Sequence, residues 1–448
     1  YIVEGNALRI DWNDVVPKEK LNYIMGNPPF VGYAYQTSIQ KEDLRPLYPN
    51  KKNIDYVAGW YMKACELMSG TSVKTAFVST NSITQGEQVV SIWKPLITKY
   101  GTHIDFAYRT FIWDSEASIK AHVHCVIVGF SCNNNKNEKI LFDEAGIGSV
   151  VNHISPYLIS ADDVFIDKRS KPISNVPAMH RGSQPTDDGN LILSKEEMEN
   201  ILTHEPHLKE LIRPYMSGKD FINRVPRYCF WLKNADPSIM KKSIEIRERV
   251  ERIRAFRAKS SKATTRAKAE TPTLFDEDQQ PTTYFVAIPK VSSQRRRYVP
   301  IDFMDPETVV ADLIFIVEDA GLYEFGVITS NVHMAWMRTV CGRLKSDYRY
   351  SNTIVYNTFS WPEPNEEQRV KIEETAKYIL EVRNRYPSTP FSDLYDPDFM
   401  PDDLRKAHQD NDRAVMQAYG FPVKSTFTES LCVAELFITM NIMPFYRS

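Results

Sequence analysis

Residues Leu21-Asn22-Tyr23-Ile24-Met25-Gly26-Asn27-Pro28-Pro29-Phe30 decide how this chain is read. The run from Leu21 to Gly26 has strand character. Neither proline that follows has a backbone N–H, so a strand ladder cannot continue through them. The chain is expected to leave its sheet at Asn27. That exit projects an amide side chain, the free Pro28 carbonyl and the Phe30 ring over the strand's C-terminal edge, where open α/β sheets bind ligands. An amide and a carbonyl held side by side can both accept hydrogen bonds from one exocyclic NH2 group. Phe30 can stack on the ring that carries it. A Pro-Pro turn over a buried Phe is the plain alternative.

Outward from this turn, Tyr1 to Leu8 reads as a strand ending in a turn. Ile54, Val57, Tyr61 and Met68 recur at helical spacing across 53–69, and Gly70 closes the segment. Lys74–Ser79 reads as a strand. Gln85–Tyr100 reads as a helix that Pro95 would kink or split. His103–Phe111 and Ala121–Phe130 read as strands, separated by a polar loop carrying Trp113, Asp114 and Glu116. The order is strand, helix, strand, helix, hairpin, with the hairpin as an antiparallel edge.

The 448 residues predict two or three domains. We set boundaries at 1–155, 156–362 and 363–448. A net charge of −2 gives no global nucleic-acid signal, so any DNA contact must come from local patches. No window approaches a membrane span, and no signal pattern opens the chain. The six cysteines form no CxxC pair, which argues against a disulfide framework or zinc site and fits a reducing, cytoplasmic setting. His122 and His124 share a strand without a third ligand in view, so no metal site is expected.

Three basic patches stand out. Residues 241–268 hold eleven Lys and Arg against three Glu, with Arg247, Arg254 and Lys262 near one helical face. A helix presenting cations to phosphates is expected there, with a solvated surface helix as the alternative. Ser292, Ser293 and Gln294 adjoin Arg295, Arg296 and Arg297. Arginine reads guanine and glutamine reads adenine, so base readout is expected here. On a strand, only some of the three arginines would face DNA. Arg343, Lys345 and Arg349 are expected to position phosphates. From Asn365 the chain reads as helical, with a capping box to Gln368 and a second helix near 402–419 ended by Gly420. The acidic run Asp393–Asp403 reads as a solvated linker lying away from DNA.

The Asn-Pro-Pro-Phe turn resembles motif IV of the amino-methyltransferases, in the spelling of the adenine-N6 group. Gly5–Trp12, Asn27–Phe30, Phe111-Ile112-Trp113 and Ala121–Phe130 occur in that order. Together with Arg227–Leu232, Val291–Ile301, His333–Trp336, Cys341–Ser351, Asp412–Val415 and Ala418–Phe421, they resemble the MmeI-like family of large adenine-N6 DNA methyltransferases. The resemblance implies an α/β fold: a partial Rossmann-like sheet dependent on S-adenosylmethionine, then an α+β target-recognition domain, then a helical C-terminal region. It implies double-stranded DNA as partner and site-specific methylation. Asn27, Pro28, Pro29 and Phe30 would be catalytic, with Phe30 and Trp113 stacking on the target base. Asn6 and Asn27 would contact the cofactor.

No glycine-rich turn precedes Asn6, so the chain is expected to lack the front half of its cofactor domain, supplied by a missing N-terminal half. No nuclease constellation is visible, so a nuclease domain would be a further partner. A non-catalytic DNA-binding specificity fragment is the main alternative. An enzyme acting on RNA or protein amides is another.

Overall fold

The structure, a computed structural model, describes residues 2–49, 53–113, 123–133, 138–423 and 429–442. Strand β1 (Tyr23–Gly26) stops at the residue before Asn27, as the double proline requires. The chain forms two compact units. One comprises residues 1–173, 335–360 and 424–448; the other comprises 174–334 and 361–423. The boundaries at 155 and 362 are thus not those of the compact bodies. Residues 335–360 and the helix Glu429–Ile442 belong with the N-terminal residues, while the helices Glu366–Arg383 and Asp402–Tyr419 belong to the second unit.

In the first unit, α1 (Trp12–Val15) precedes β1, and α2 (Ser38–Leu44) and α3 (Ala58–Met68) follow it. Then come β2 (Lys74–Thr80), α4 (Gly86–Tyr100), β3 (His103–Trp113), β4 (Val123–Ser131), β5 (Lys139–Phe142) and β6 (Gly148–Val151). The sheet order is β1-β2-β4-β3-β5-β6, with β1 parallel to β2 and β4 antiparallel to both its neighbours. The β3–β4 hairpin therefore lies inside the sheet, and β6 forms the edge expected of the hairpin.

Of the strand expected at residues 1–8, residues 2–8 form none; Ile2 and Val3 are exposed and pair with no strand among the described residues. Helix α4 runs through Pro95 unbroken. Burial of Val89, Ile92, Trp93 and Leu96 offsets the roughly 3 kcal/mol that an interior proline costs.

Beneath β2 and β4 the core is aromatic. The Tyr61 ring stacks on Phe130 at 5.1 Å and meets Phe77 and Trp93 edge-on, and its hydroxyl pairs with Ser79 Oγ at 2.8 Å. On β4, Gly129 lies under the Phe106 ring, which would sit 2.1 Å from any Cβ placed there.

The second unit holds nine short strands: β7 (Met179–Arg181), β8 (Ile192–Leu193), β9 (Ile212–Met216), β10 (Arg227–Phe230), β11 (Phe285–Pro289), β12 (Val291–Ser292), β13 (Asp302–Met304), β14 (Val309–Val310) and β15 (Ile314–Glu318). Eight of them make two four-stranded sheets, β14-β9-β10-β8 and β13-β11-β15-β7. The helix Glu366–Arg383 starts on the expected Asn365–Gln368 capping box, and Asp402–Tyr419 ends at Gly420 in left-handed conformation.

The basic helix spans Ile244–Ala258, so Lys262 is not on it but precedes a separate short helix, Ala263–Ala267. Ile246 and Ile253 face the core. Arg257 is fully buried, with its guanidinium on five carbonyls: Thr186, Lys268, Thr271, Pro185 and Leu274, at 2.7–3.0 Å. It organises the loop that follows the basic helix. The acidic run is not a free linker. It begins inside the helix Phe391–Leu394, and Tyr395 and Met400 are buried.

Replacing Arg257 with Met leaves those carbonyls unpaired, so the urea unfolding midpoint of this unit should fall by the equivalent of about 3 kcal/mol. An unchanged midpoint would show that the loop holds without it.

Candidate functional site

Past β1 the chain has no regular secondary structure through Asn27–Val31. Asn27 and Pro29 are exposed, Pro28 is buried and Phe30 is half-buried. The Asn27 amide makes no side-chain hydrogen bond among the described residues. Within the turn, Val31 N–H donates to Pro29 O at 3.2 Å.

Other restraints come from the segment ahead of α3. Tyr56 N–H donates to Val31 O at 2.9 Å, Gln36 Nε2 donates to Ile54 O at 2.8 Å, and Asp55 Oδ1 accepts Tyr33 N–H at 2.9 Å. The second Asp55 oxygen accepts from Ser82 Oγ at 2.6 Å, just past β2.

Two openings flank this exit. An apolar groove of about 490 Å³ runs along Trp12, Met25, Asn27, Pro29, Trp60 and Phe77. A cavity of about 500 Å³ lies at the C-terminal end of β2, lined by Tyr33, Asp55, Ser82, His124 and the hairpin Gly342–Arg349. That hairpin pairs Gly342–Leu344 with Asp347–Arg349. It brings Arg343, Lys345 and Arg349 to the cavity wall. Arg343 is braced within the hairpin, over the Tyr348 ring at 4.0 Å and on Ser346 O at 3.0 Å. Lys345 occupies the turn in left-handed conformation, and Lys345 and Arg349 are exposed.

Other expected residues fall differently. Trp113 is not on a loop: it ends β3 opposite Val123 and is 43% exposed. Continued pairing with β4 holds it in the strand. Asp114, Glu116 and His122 lie outside the described residues.

Asn6 is built into its own turn. Its Oδ1 accepts Leu8 N–H at 3.0 Å and its Nδ2 donates to Asp43 at 2.9 Å, so both ends of the amide expected to meet the cofactor are occupied. Asp43 also accepts from Arg9 Nε at 2.7 Å and Tyr56 OH at 2.8 Å. Burial alone would push its carboxyl up. Hydrogen bonds from Arg9, Tyr56 and Asn6 outweigh burial and hold it below its ordinary value of 3.8.

In the second unit, the expected readout segment is a turn rather than a strand, because β12 ends at Ser292. Ser292 is buried and so is removed from any surface contact. Ser293 Oγ accepts Arg295 N–H, and Arg295 pairs with Asp398 and Asp396 of the acidic run. Arg296 is half-buried, while Gln294 and Arg297 are exposed. Arg247 is exposed, and Arg254 bonds Ala269 O and pairs with Glu251.

Asp55, Tyr33 and Ser82 were not anticipated. The only local signal was a polar residue shortly ahead of a helix start.

Residues 1–143 match the model of the MmeI DNA-methyltransferase domain, 160–363 that of the MmeI target recognition domain, and 364–441 that of the MmeI C-terminal domain. The chain belongs to the MmeI family. DNA methyltransferase A of Bacillus subtilis (strain 168) is 37% identical over 421 residues, 93% of this chain and 47% of that protein. The type IIL restriction-modification enzyme MmeI, solved in complex with DNA, is 42% identical with a TM-score of 0.90 over 98% of this chain and 60% of that one. This family member thus spans about half the length of the curated relative. Its match to the methyltransferase model begins at residue 1, which does not support the expectation of a missing front half. No described helix is long and apolar enough to cross a membrane.

Asp43 gives a pH signature. Its folded value is depressed, so its contribution is present above the unfolded value and is lost as pH falls through the folded one. The urea midpoints of the unmodified chain and Asp43→Asn should differ at about pH 6 and converge as the pH falls below 3.8 through the depressed folded value. A gap independent of pH would mean that the carboxylate charge is not what the turn uses.

Proposed function

We propose that this chain carries the methyl-transfer and target-recognition parts of a site-specific DNA methyltransferase acting on adenine N6. Its methyl donor is S-adenosylmethionine and its substrate is double-stranded DNA. One observation carries the reading: an exposed Asn27 amide beside the Pro28 carbonyl, at the C-terminal end of a parallel strand pair. Family membership supports it, since one relative is named a DNA methyltransferase and MmeI was solved with DNA.

The rings of Trp12, Trp60 and Phe77 line the groove beside Asn27 and would suit a cationic sulfonium. When bound, the donor supplies an electrophilic methyl group. The chain's own residues do the rest. An adenine amine cannot be reached inside a duplex, so the base is flipped out, at a cost of a few kcal/mol. Asn27 Oδ1 and the Pro28 carbonyl accept the two amino hydrogens. This turns the nitrogen lone pair out of ring conjugation and aims it for in-line attack. Phe30 holds the ring by stacking, worth roughly 1–3 kcal/mol, with Trp113 as the second aromatic. Lys345 and Arg349 meet the duplex beside the cavity, and Gln294 and Arg297 take base readout in the recognition unit.

In the full-length protein, Asn27→Ala should lower single-turnover methyl transfer to adenine by about 10³-fold while duplex affinity stays within a few-fold. Transfer at the original rate would remove Asn27 from the chemistry. Arg349→Ala should weaken duplex binding and flatten the dependence of log K on log salt by about 0.9. An unchanged slope would mean that Arg349 touches no phosphate.

A further inference from the structure

The Asn27–Phe30 turn contains little that fixes its own shape. Two of its four residues have no N–H, and the Asn27 amide makes no side-chain hydrogen bond among the described residues. Yet in-line transfer needs the Asn27 oxygen and the Pro28 carbonyl held to a fraction of an ångström, and a misplacement of about 1 Å can cost 10²-fold in rate. The restraint has to come from outside the turn.

Asp55 stands where such a restraint would act. Its side chain is buried, and its two oxygens are divided between two chain segments. Oδ1 accepts the backbone N–H of Tyr33, the third residue after Phe30, at 2.9 Å. Oδ2 accepts Ser82 Oγ–H at 2.6 Å, and Ser82 Oγ also pairs with Thr80 Oγ1 at 2.9 Å, at the end of β2. The neighbouring backbone repeats the tie through Tyr56 N–H to Val31 O. Asp55 N–H itself donates to Gln88 Oε1 at 3.3 Å on α4, which fixes the carboxylate from behind. Gly32 lies against the same carboxylate: a Cβ there would sit 3.8 Å from Asp55 Oδ1. Asp55 thus joins the exit loop of β1 to the exit of β2, the two parallel strands whose ends frame the site.

We propose that Asp55 is a positioning residue for methyl transfer: it sets the register of the Asn27–Tyr33 exit against the end of β2 without touching the reacting atoms. This rests on the methyltransferase reading above. What matters in this role is the pair of hydrogen bonds, to Tyr33 and to Ser82, rather than the charge. An asparagine at 55 can still accept Tyr33 N–H through Oδ1 and can donate to Ser82 Oγ through Nδ2. An alanine keeps neither contact and leaves Tyr33 N–H without its acceptor.

The test compares Asp55→Ala, Asp55→Asn and Asn27→Ala in the full-length protein, with two readouts. The first is hydrogen exchange of the peptide covering residues 31–36, which needs no chemistry. Asp55→Ala should speed exchange at Tyr33 by about 10²-fold, and Asp55→Asn should leave it within a few-fold. The second is methyl transfer to duplex DNA. Asp55→Ala should lower kcat by about 10²-fold with KM for DNA nearly unchanged, and Asp55→Asn should restore most of the rate. Three results would overturn the proposal: unchanged exchange in Asp55→Ala; faster exchange with an unchanged kcat while Asn27→Ala is inactive; or Asp55→Asn as slow in transfer as Asp55→Ala. If the unmodified protein transfers no methyl group to adenine, the methyltransferase reading fails by itself, and with it the role in transfer. The exchange arm still decides whether Asp55 holds the loop.

Discussion

Pro28 and Pro29 withhold two backbone donors where β1 would otherwise continue, and the architecture around the site follows from that deficit. A strand stripped of donors must end, so the next residues cross the sheet's edge instead of extending it. They are then anchored by donors and acceptors from another segment: Tyr56 N–H, the Ile54 carbonyl, which accepts from Gln36 Nε2, and the Asp55 carboxylate. The same segment, 54–56, leads into α3, whose Tyr61 sits at the centre of the aromatic core under β2. Site and core are therefore fastened by one stretch of chain, and the exposed amide is backed by packed structure.

Charge serves two distinct ends in the second unit. Arg257 and Arg383 are buried. Arg257 holds carbonyls of a loop; Arg383 donates to Ile301 O at 2.6 Å and pairs with Asp302. Around Arg383 the helices Glu366–Arg383 and Asp402–Tyr419 carry further buried polar contacts. Tyr298 OH donates to Asp412 at 2.6 Å, Asn411 Nδ2 donates to Gly326 O at 2.8 Å, and Tyr395 OH pairs with His408 Nε2 at 3.0 Å. Burial first, and then the cations Arg383 and Arg297, push the His408 imidazole well down, so it is neutral at physiological pH. Each of these groups is costly to bury alone, and the contacts named offset that cost, while Arg383 Nε and His408 Nδ1 find no hydrogen-bond partner among the described residues. They specify one packing of helices on sheet.

What was legible in the sequence was local. The end of β1 follows from proline chemistry. The start of the helix at Glu366 follows from Asn365 with Gln368, and the stop at Gly420 follows from glycine's access to the left-handed region. What was not legible depends on residues distant in sequence. Arg247 and Arg257 look alike in a charge run, yet one is exposed and the other is enclosed by carbonyls that a later loop delivers. Arg295 belongs to a basic cluster by sequence and to an ion pair with Asp398 in space. Trp113 follows what reads as a strand end, but pairing with β4 carries the strand on to include it. Asp55 is a lone acid before a helix, and only the fold brings Tyr33 and Ser82 to it.

The hairpin Gly342–Arg349 lies within the span of the target recognition model, yet it belongs to the same compact body as the methyltransferase sheet. This bears on how recognition modules can be exchanged between relatives. A graft cut at the sequence limits 160 and 363 would carry a piece of the other body with it, including the wall of a cavity that the host must rebuild. Cuts near 174 and 334, and again near 361 and 423, follow the compact unit and leave that wall in place. Modularity in this chain is discontinuous: the exchangeable part is two stretches of sequence, and the stretch between them stays with the host.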